Sequence, residues 1–231
     1  MRRNTKTVQV GIVPVGGNST ISIQSMTTTD TRDVRSTVEQ ILRLESAGCE
    51  IIRSSVYDED CAKALNSIIK QIHIPMVADI HFDYRLAIAA MKNGVQKIRF
   101  NPGNIGSLAN VRELVACARD LSVPIRIGVN AGSLEKELLK KYNGPTPEAL
   151  VESALKHVAI LECESFYNTV ISIKTSDVPD TVKAYRILSE KVDYPLHIGV
   201  TESGSRNEGL IKSSVGIGSL LLQGIGDTLR V

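Results

Sequence analysis

Seven times along the 231-residue chain, an apolar, β-branched run closes on a charged or amide side chain. Helix-patterned sequence follows the first six. The closures are Ile-Ile-Arg53, Val-Ala-Asp79-Ile-His81, Ile-Arg99-Phe-Asn101, Ile-Arg126-Ile-Gly-Val-Asn130, Ile-Ser-Ile-Lys174 and Leu-His197-Ile-Gly-Val-Thr-Glu202. The seventh, at the C-terminus, is Thr-Leu-Arg230-Val. A strand buried on both faces of a parallel sheet reads as nearly all apolar. Charges at the ends of successive strands therefore mark a rim, the place where parallel barrels build their active sites.

The spacing predicts strands over 21–24, 50–53, 76–78, 96–100, 125–129, 169–174, 196–200 and 228–231. Between them, apolar residues recur at helical spacing over 58–69, 84–93, 108–121, 148–162, 178–191 and 211–222, after a first helix that starts near Asp33. A short helix over 134–141 and a Gly-Pro-Thr-Pro break precede the fifth long one. Eight strands and seven crossover helices argue for an α/β fold of the (β/α)8 TIM-barrel type, lacking its last helix. Residues 7–20 alternate around glycines and are expected to form an N-terminal β-hairpin, a plug under the barrel floor. The whole of 1–231 reads as one barrel domain, and the bare last strand suggests that further polypeptide supplies the eighth helix.

Composition sets outer bounds. With 42% hydrophobic and 23% charged residues, the chain reads as soluble and globular, and its net charge of +2 is too small to imply nucleic acid. No apolar stretch approaches the ~20 residues that span a bilayer, and no long apolar segment follows the basic N-terminus. Cys49, Cys61, Cys117 and Cys163 include no C-x-x-C pair and fall away from the strand-end rim, as expected of reduced thiols in a cytoplasmic protein.

Alternation along each strand then sorts its residues by face. Ile125, Ile127 and Val129 fit the helix-facing side, which turns Arg126 and Asn130 toward the barrel axis. The same parity turns Arg53, Asp79, His81, Lys97, Arg99, Asn101 and Lys174 inward. Arg53, Arg99, Arg126 and Lys174 thus converge, with Arg230 a candidate fifth, against at most two carboxylates, Asp79 and Glu202. Unpaired buried charge is costly, so a compact polyanion is the expected partner, and guanidinium forks match phosphate oxygens. Internal ion pairing accounts for one Arg–carboxylate pair but not for four convergent cations. His81 reads as a substrate contact or a core histidine, and His197 as packing. His73 and His157 read as surface or helix residues. Glu202, in a glycine loop at the rim, reads as a general acid beside an apolar wall or as a loop-ordering carboxylate. The segment 211–218, Ile-Lys-Ser-Ser-Val-Gly-Ile-Gly, reads as a phosphate site at a helix N-terminus or as close packing.

Several long motifs carry a resemblance: Gln24-Ser-Met-Thr-Thr-Thr-Asp-Thr-Arg-Asp33, Val77-Ala-Asp-Ile-His-Phe82, Arg99-Phe-Asn-Pro-Gly-Asn-Ile-Gly106 and Arg126-Ile-Gly-Val-Asn-Ala-Gly-Ser-Leu-Glu135. With Ile171-Ser-Ile-Lys-Thr-Ser-Asp177, Gly199-Val-Thr-Glu202 and Gly224-Ile-Gly-Asp-Thr-Leu-Arg-Val231, the chain resembles the 4-hydroxy-3-methylbut-2-en-1-yl diphosphate synthases over its whole length. The resemblance implies reductive ring opening and dehydration of 2-C-methyl-D-erythritol 2,4-cyclodiphosphate in isoprenoid biosynthesis, with electrons from flavodoxin or ferredoxin. It implies substrate contacts from Arg53, His81, Arg99, Asn101, Arg126, Asn130, Lys174 and Arg230. Catalytic roles fall to Asp79, which orients these groups, and to Glu202, the acid for the departing hydroxyl. It also implies a C-terminal domain with a [4Fe-4S] cluster, absent here, and a homodimer that sets one subunit's cluster over the other's barrel. Without that domain the barrel is expected to bind substrate and be inactive. Arg53-Ser-Ser-Val56 departs from the more apolar residues the family places after that arginine. Two other classes stay open: a pterin-binding transferase barrel, which wants fewer cations, and a non-catalytic phosphometabolite-binding barrel.

Overall fold

Two sheets make up the computed structural model, which describes residues 2–81, 83–101 and 107–231. The first is an antiparallel hairpin of β1 (Thr7–Val10) and β2 (Val13–Gly16), turning at Gly11, whose φ of +56° favours glycine. The second is parallel: β3 (Ser22–Met26), β4 (Ile51–Ser55), β5 (Met76–Asp79), β6 (Lys97–Arg99), β7 (Ile125–Asn130), β8 (Thr169–Lys174), β9 (His197–Ile198) and β10 (Thr228–Leu229). Neighbours pair in chain order from β3 to β8, and β10 lies between β3 and β9. A bridge between Ile171 and Leu196 brings β8 against β9 and closes the ring. The TIM barrel expected from the strand–helix repeat is the fold observed.

Helices α1 (Val34–Ser46), α2 (Glu59–Ile69), α3 (Tyr84–Lys92), α4 (Leu108–Asp120), α5 (Lys136–Tyr142), α6 (Pro147–Cys163), α7 (Val178–Ser189) and α8 (Arg206–Leu222) surround the strands. Except for α5, each starts at an Asp, Ser or Thr whose side chain accepts a backbone amide of the first turn. The outward aliphatics of the strands, among them Ile52, Ala78, Ile98, Ile127 and Ile173, are fully buried against these helices. The inward residues at the strand starts, Ile51, Val77 and Val170, pack instead on Val8, Val10 and Val15 of the hairpin, which plugs the floor. A closed floor leaves the strands' C-terminal end as the open mouth.

One reading of the sequence is corrected here. Helix α8 begins at Arg206, not near residue 211, because Ser205 and Glu208 form a capping box. Ser205 N–H donates to Glu208 Oε2 at 2.9 Å and Glu208 N–H to Ser205 Oγ at 3.5 Å. Segment 211–218 therefore lies inside the helix, its amides engaged in the helix ladder rather than free for phosphate. Parts of two quoted motifs, Phe82 and residues 102–106, fall outside the described residues.

A buried carboxylate anchors the N-terminal tail below the barrel. Asp227 accepts from Arg2 Nη2 at 2.7 Å, Thr5 Oγ1 at 3.2 Å and the Leu196 amide at 2.7 Å. Removing it strands a buried amide and a guanidinium. We expect Asp227→Ala to cost about 3 kcal/mol of unfolding free energy, read from the urea midpoint at unchanged slope.

Candidate functional site

At the mouth, a cavity of about 290 Å³ is lined by Arg53, Asp79, Arg99, Arg126, Lys174 and Arg230, with His81 and Asn130 among its other walls. The carboxylate and the five cations come from six different strands or the residue just beyond one, on the inward face that the alternation required, with Arg126 deepest, at the second residue of β7. Asp79 is the carboxylate among them and is nearly fully buried. Its Oδ1 lies 3.1 Å from Arg99 Nη1 and its Oδ2 3.4 Å from Arg53 Nε. Burial alone would raise the Asp79 pKa, but the fields of Arg53, Arg99 and Arg126 outweigh it and hold the carboxyl below its usual range. Arg99 also donates through Nη2 to the Gly128 carbonyl at 3.0 Å. A side chain at Gly128 would put its Cβ 2.6 Å from Arg99 Nε, so glycine is what leaves the guanidinium its place.

Arg126, Lys174 and Arg230 have no carboxylate partner among the described residues. Arg126 is 2% exposed, and neither its Nε nor its Nη1 has a hydrogen-bond partner among the described residues. Burial first, then Arg53 and Arg99, push its pKa far down. Arg53 is pushed to about 10, mainly by burial, against the pull of Asp79. Lys174 Nζ sits 3.3 Å from His197 Nε2, and burial together with Arg230 and Arg126 drives its pKa far below the ordinary lysine value. Five cations against one carboxylate make this mouth an electrostatic site in want of an anion.

Other placements refine the sequence reading. Asn101 points inward but does not line the cavity: its Oδ1 accepts the Gly128 amide at 3.0 Å, tying β6 to β7. Glu202 also lies outside the lining. It is exposed, at φ +51°. His81 lines the mouth and stacks on Tyr57, ring centroids 6.3 Å apart at 12°. Sequence reasoning missed Tyr57, which lies past a strand end where alternation gives no signal. It also missed Met26, Ser55 and Ser172, which share the inward parity of Arg53 and Lys174 and were open to the same argument. Lys97 is fully buried beneath the cavity, where Nζ donates to Gln24 Oε1 at 3.3 Å. His157 proves buried against α5's neighbour Glu135, with Nε2 3.1 Å from Oε1.

Metal or cluster binding finds no ligand set in these residues. Among the described residues, no group of three or more His, Cys, Asp or Glu side chains could hold a metal ion. Cys49 and Cys61 are buried, Cys163 is exposed, and none of the four lines the cavity. A [4Fe-4S] cluster therefore does not fit the side chains present here. No helix is long and apolar enough to cross a membrane among the described residues.

Comparison with known proteins agrees with this architecture. Residues 5–231 match the family model of the GcpE TIM-barrel domain. The chain is 59% identical over 231 residues to the 4-hydroxy-3-methylbut-2-en-1-yl diphosphate synthase (flavodoxin) of Caldanaerobacter subterraneus subsp. tengcongensis, with 100% of this chain and 65% of that protein covered. It is 58% identical over 231 residues to the protein of the same name from Geobacter sulfurreducens, again covering 100% of this chain and 65% of the relative. The chain thus spans just under two thirds of these relatives. Among solved structures, Yersinia pestis dihydropteroate synthase is similar at a TM-score of 0.66 and 12% identity, over 97% of this chain and 91% of that one. Geobacillus kaustophilus 3-dehydroquinate dehydratase is similar at 0.66 and 13%, over 99% and 89%. At such identities the likeness is one of fold alone.

The buried histidine gives a pH test. His197 is fully buried, and burial, then Lys174 and Arg126, hold its pKa well below 6.5. The unfolded chain takes up a proton near pH 6.5 that the folded site refuses, so stability falls as pH drops below that value. The same sign holds for Lys174 and Lys97 up to their unfolded value of 10.5. We expect His197→Asn to flatten the loss of stability below pH 6.5 by up to about 1.4 kcal/mol per pH unit, measured by urea unfolding across a pH series.

Proposed function

From the premise that this chain belongs to the GcpE TIM-barrel domain family, we propose that it is the substrate-binding barrel of a 4-hydroxy-3-methylbut-2-en-1-yl diphosphate synthase. The substrate on this reading is 2-C-methyl-D-erythritol 2,4-cyclodiphosphate, opened reductively and dehydrated with electrons from flavodoxin or ferredoxin. One observation supports it most: a buried arginine whose Nε and Nη1 lack partners among the described residues, in a cavity of five cations and one carboxylate. A diphosphate supplies the missing negative charge and enough oxygens for several guanidinium forks.

Each residue's part follows from its surroundings. Arg126 and Arg230 meet phosphate oxygens with guanidinium donors that have no carboxylate partner among the described residues, and Lys174 does so with the ammonium donors that its contact with His197 leaves over. Arg53 and Arg99 do so while tethered to Asp79, which keeps two mutually repelling guanidiniums at fixed spacing. His81 and Asn130, at the outer wall, hydrogen-bond the organic part of the substrate. Asn101 acts through Gly128 rather than by contact. Glu202 would reach the departing hydroxyl as acid only if the turn at 201–205 folds over the mouth, and Thr201 at its start already lines the cavity.

The [4Fe-4S] cluster belongs, on this reading, to the part of these relatives that this chain does not cover. A homodimer would bring that part over a barrel mouth, and a cytoplasmic location fits four free thiols. This chain's own share is to bind, orient and shield the diphosphate.

Calorimetric titration with 2-C-methyl-D-erythritol 2,4-cyclodiphosphate tests the assignment. We expect saturable binding, weakened about 100-fold by Arg126→Ala, as loss of two charge-assisted bonds implies. A folded chain that binds no cyclodiphosphate would contradict it.

A further inference from the structure

Among the described residues, β8 and β9 share fewer residue pairs in register than any other neighbouring strands of the barrel. Where β7 and β8 share six residue pairs in register, β8 and β9 are joined by the single bridge at Ile171 and Leu196. The Ile171 amide donates to the Pro195 carbonyl at 3.0 Å. A parallel ladder would continue two residues on, from the Ile173 amide to the His197 carbonyl. That bond is replaced. The Ile173 amide donates to Tyr185 Oη at 3.0 Å, and the same hydroxyl donates to the His197 carbonyl. Beyond it, direct bonding resumes with the Thr201 amide on the Thr175 carbonyl at 3.1 Å. Tyr185, on α7 and fully buried, is thus spliced into the sheet in place of one ladder bond.

The splice lies at the level of Lys174. That lysine follows Ile173, and its Nζ rests 3.3 Å from Nε2 of the fully buried His197. His197 Nδ1 has no hydrogen-bond partner among the described residues, so nothing on that side competes for the ring. Just past β9, a Cβ at Gly199 would run into the Arg230 carbonyl oxygen and stand 2.8 Å from Lys174 Nζ. At one level of the barrel, then, a seam is held open by a hydroxyl while an imidazole and a missing side chain border the lysine amine.

We propose that Tyr185 and His197 are positioning residues for Lys174, setting its ammonium at the wall of the anion cavity. Tyr185 fixes the width of the seam across which the lysine and the histidine face each other. His197 fixes the amine itself. Burial raises the Tyr185 pKa, so the hydroxyl keeps the proton it donates. Neither residue touches the cavity, and both act through the lysine.

This proposal rests on the diphosphate reading of the cavity, and one set of titrations separates the two. Inorganic pyrophosphate is titrated into the parent chain, Tyr185→Phe, His197→Asn, Lys174→Met and the two double variants, with thermal unfolding run on each. We expect each positioning variant to weaken binding about 10-fold in the parent and less than about twofold in the Lys174→Met background, since coupled residues are non-additive. A role confined to stability would lower the unfolding temperature while leaving affinity unchanged, or would weaken both backgrounds equally. Either result overturns the proposal. Should Tyr185→Phe fail to fold, His197→Asn and its double variant decide alone. No pyrophosphate binding by the parent would instead overturn the diphosphate reading, and this proposal with it.

Discussion

Uncompensated positive charge in the barrel mouth is the constraint on which the rest of this structure depends. Arg126 is buried with two guanidinium nitrogens unpartnered, Lys174 has a histidine for its neighbour, and one carboxylate serves two further arginines. Such a site costs stability in the free protein, because desolvated like charges repel and a single carboxylate cannot neutralise five of them. The scaffold must therefore hold it by force. It does so with outward aliphatic faces sealed under helices and with a hairpin of valines closing the floor.

Small and neutral residues complete that support. Gly128 and Gly199 withhold the side chains that would collide with Arg99 and Lys174. Asn101 spends its carbonyl on the β7 backbone, which fixes the strand that carries Arg126. Tyr185 enters the β8–β9 seam from outside. The binding chemistry is thus concentrated in charges, while their geometry is set by groups that carry none.

Much of this was legible in the sequence, because period-two alternation and strand-end charges are local signals. Parity placed Arg53, Arg99, Arg126 and Lys174 on one axis before any geometry was known, and 7–20 read as the plug it forms. What was less legible was non-local or lay beyond the strands. Glu202 follows a strand two residues long, where alternation no longer dictates direction, and its backbone turns left-handed. Segment 211–218 looked like a helix start because the capping box ahead of it is built from polar residues with no apolar period. Nothing in a helical stripe distinguishes Tyr185 from an ordinary core aromatic, since its meaning lies in a ladder bond missing from two distant strands. The match to dihydropteroate synthase is one of architecture alone.

The most direct measurement is thermal unfolding of the chain and of Arg126→Met, each with and without inorganic pyrophosphate. If buried, unneutralised charge is the organising feature, the variant without ligand unfolds at a higher temperature than the parent, because an apolar side chain of similar length replaces an unpaired ion. The parent alone then gains substantial stability from pyrophosphate. A variant that is less stable without ligand, and is still stabilised by pyrophosphate as strongly as the parent, would contradict the account.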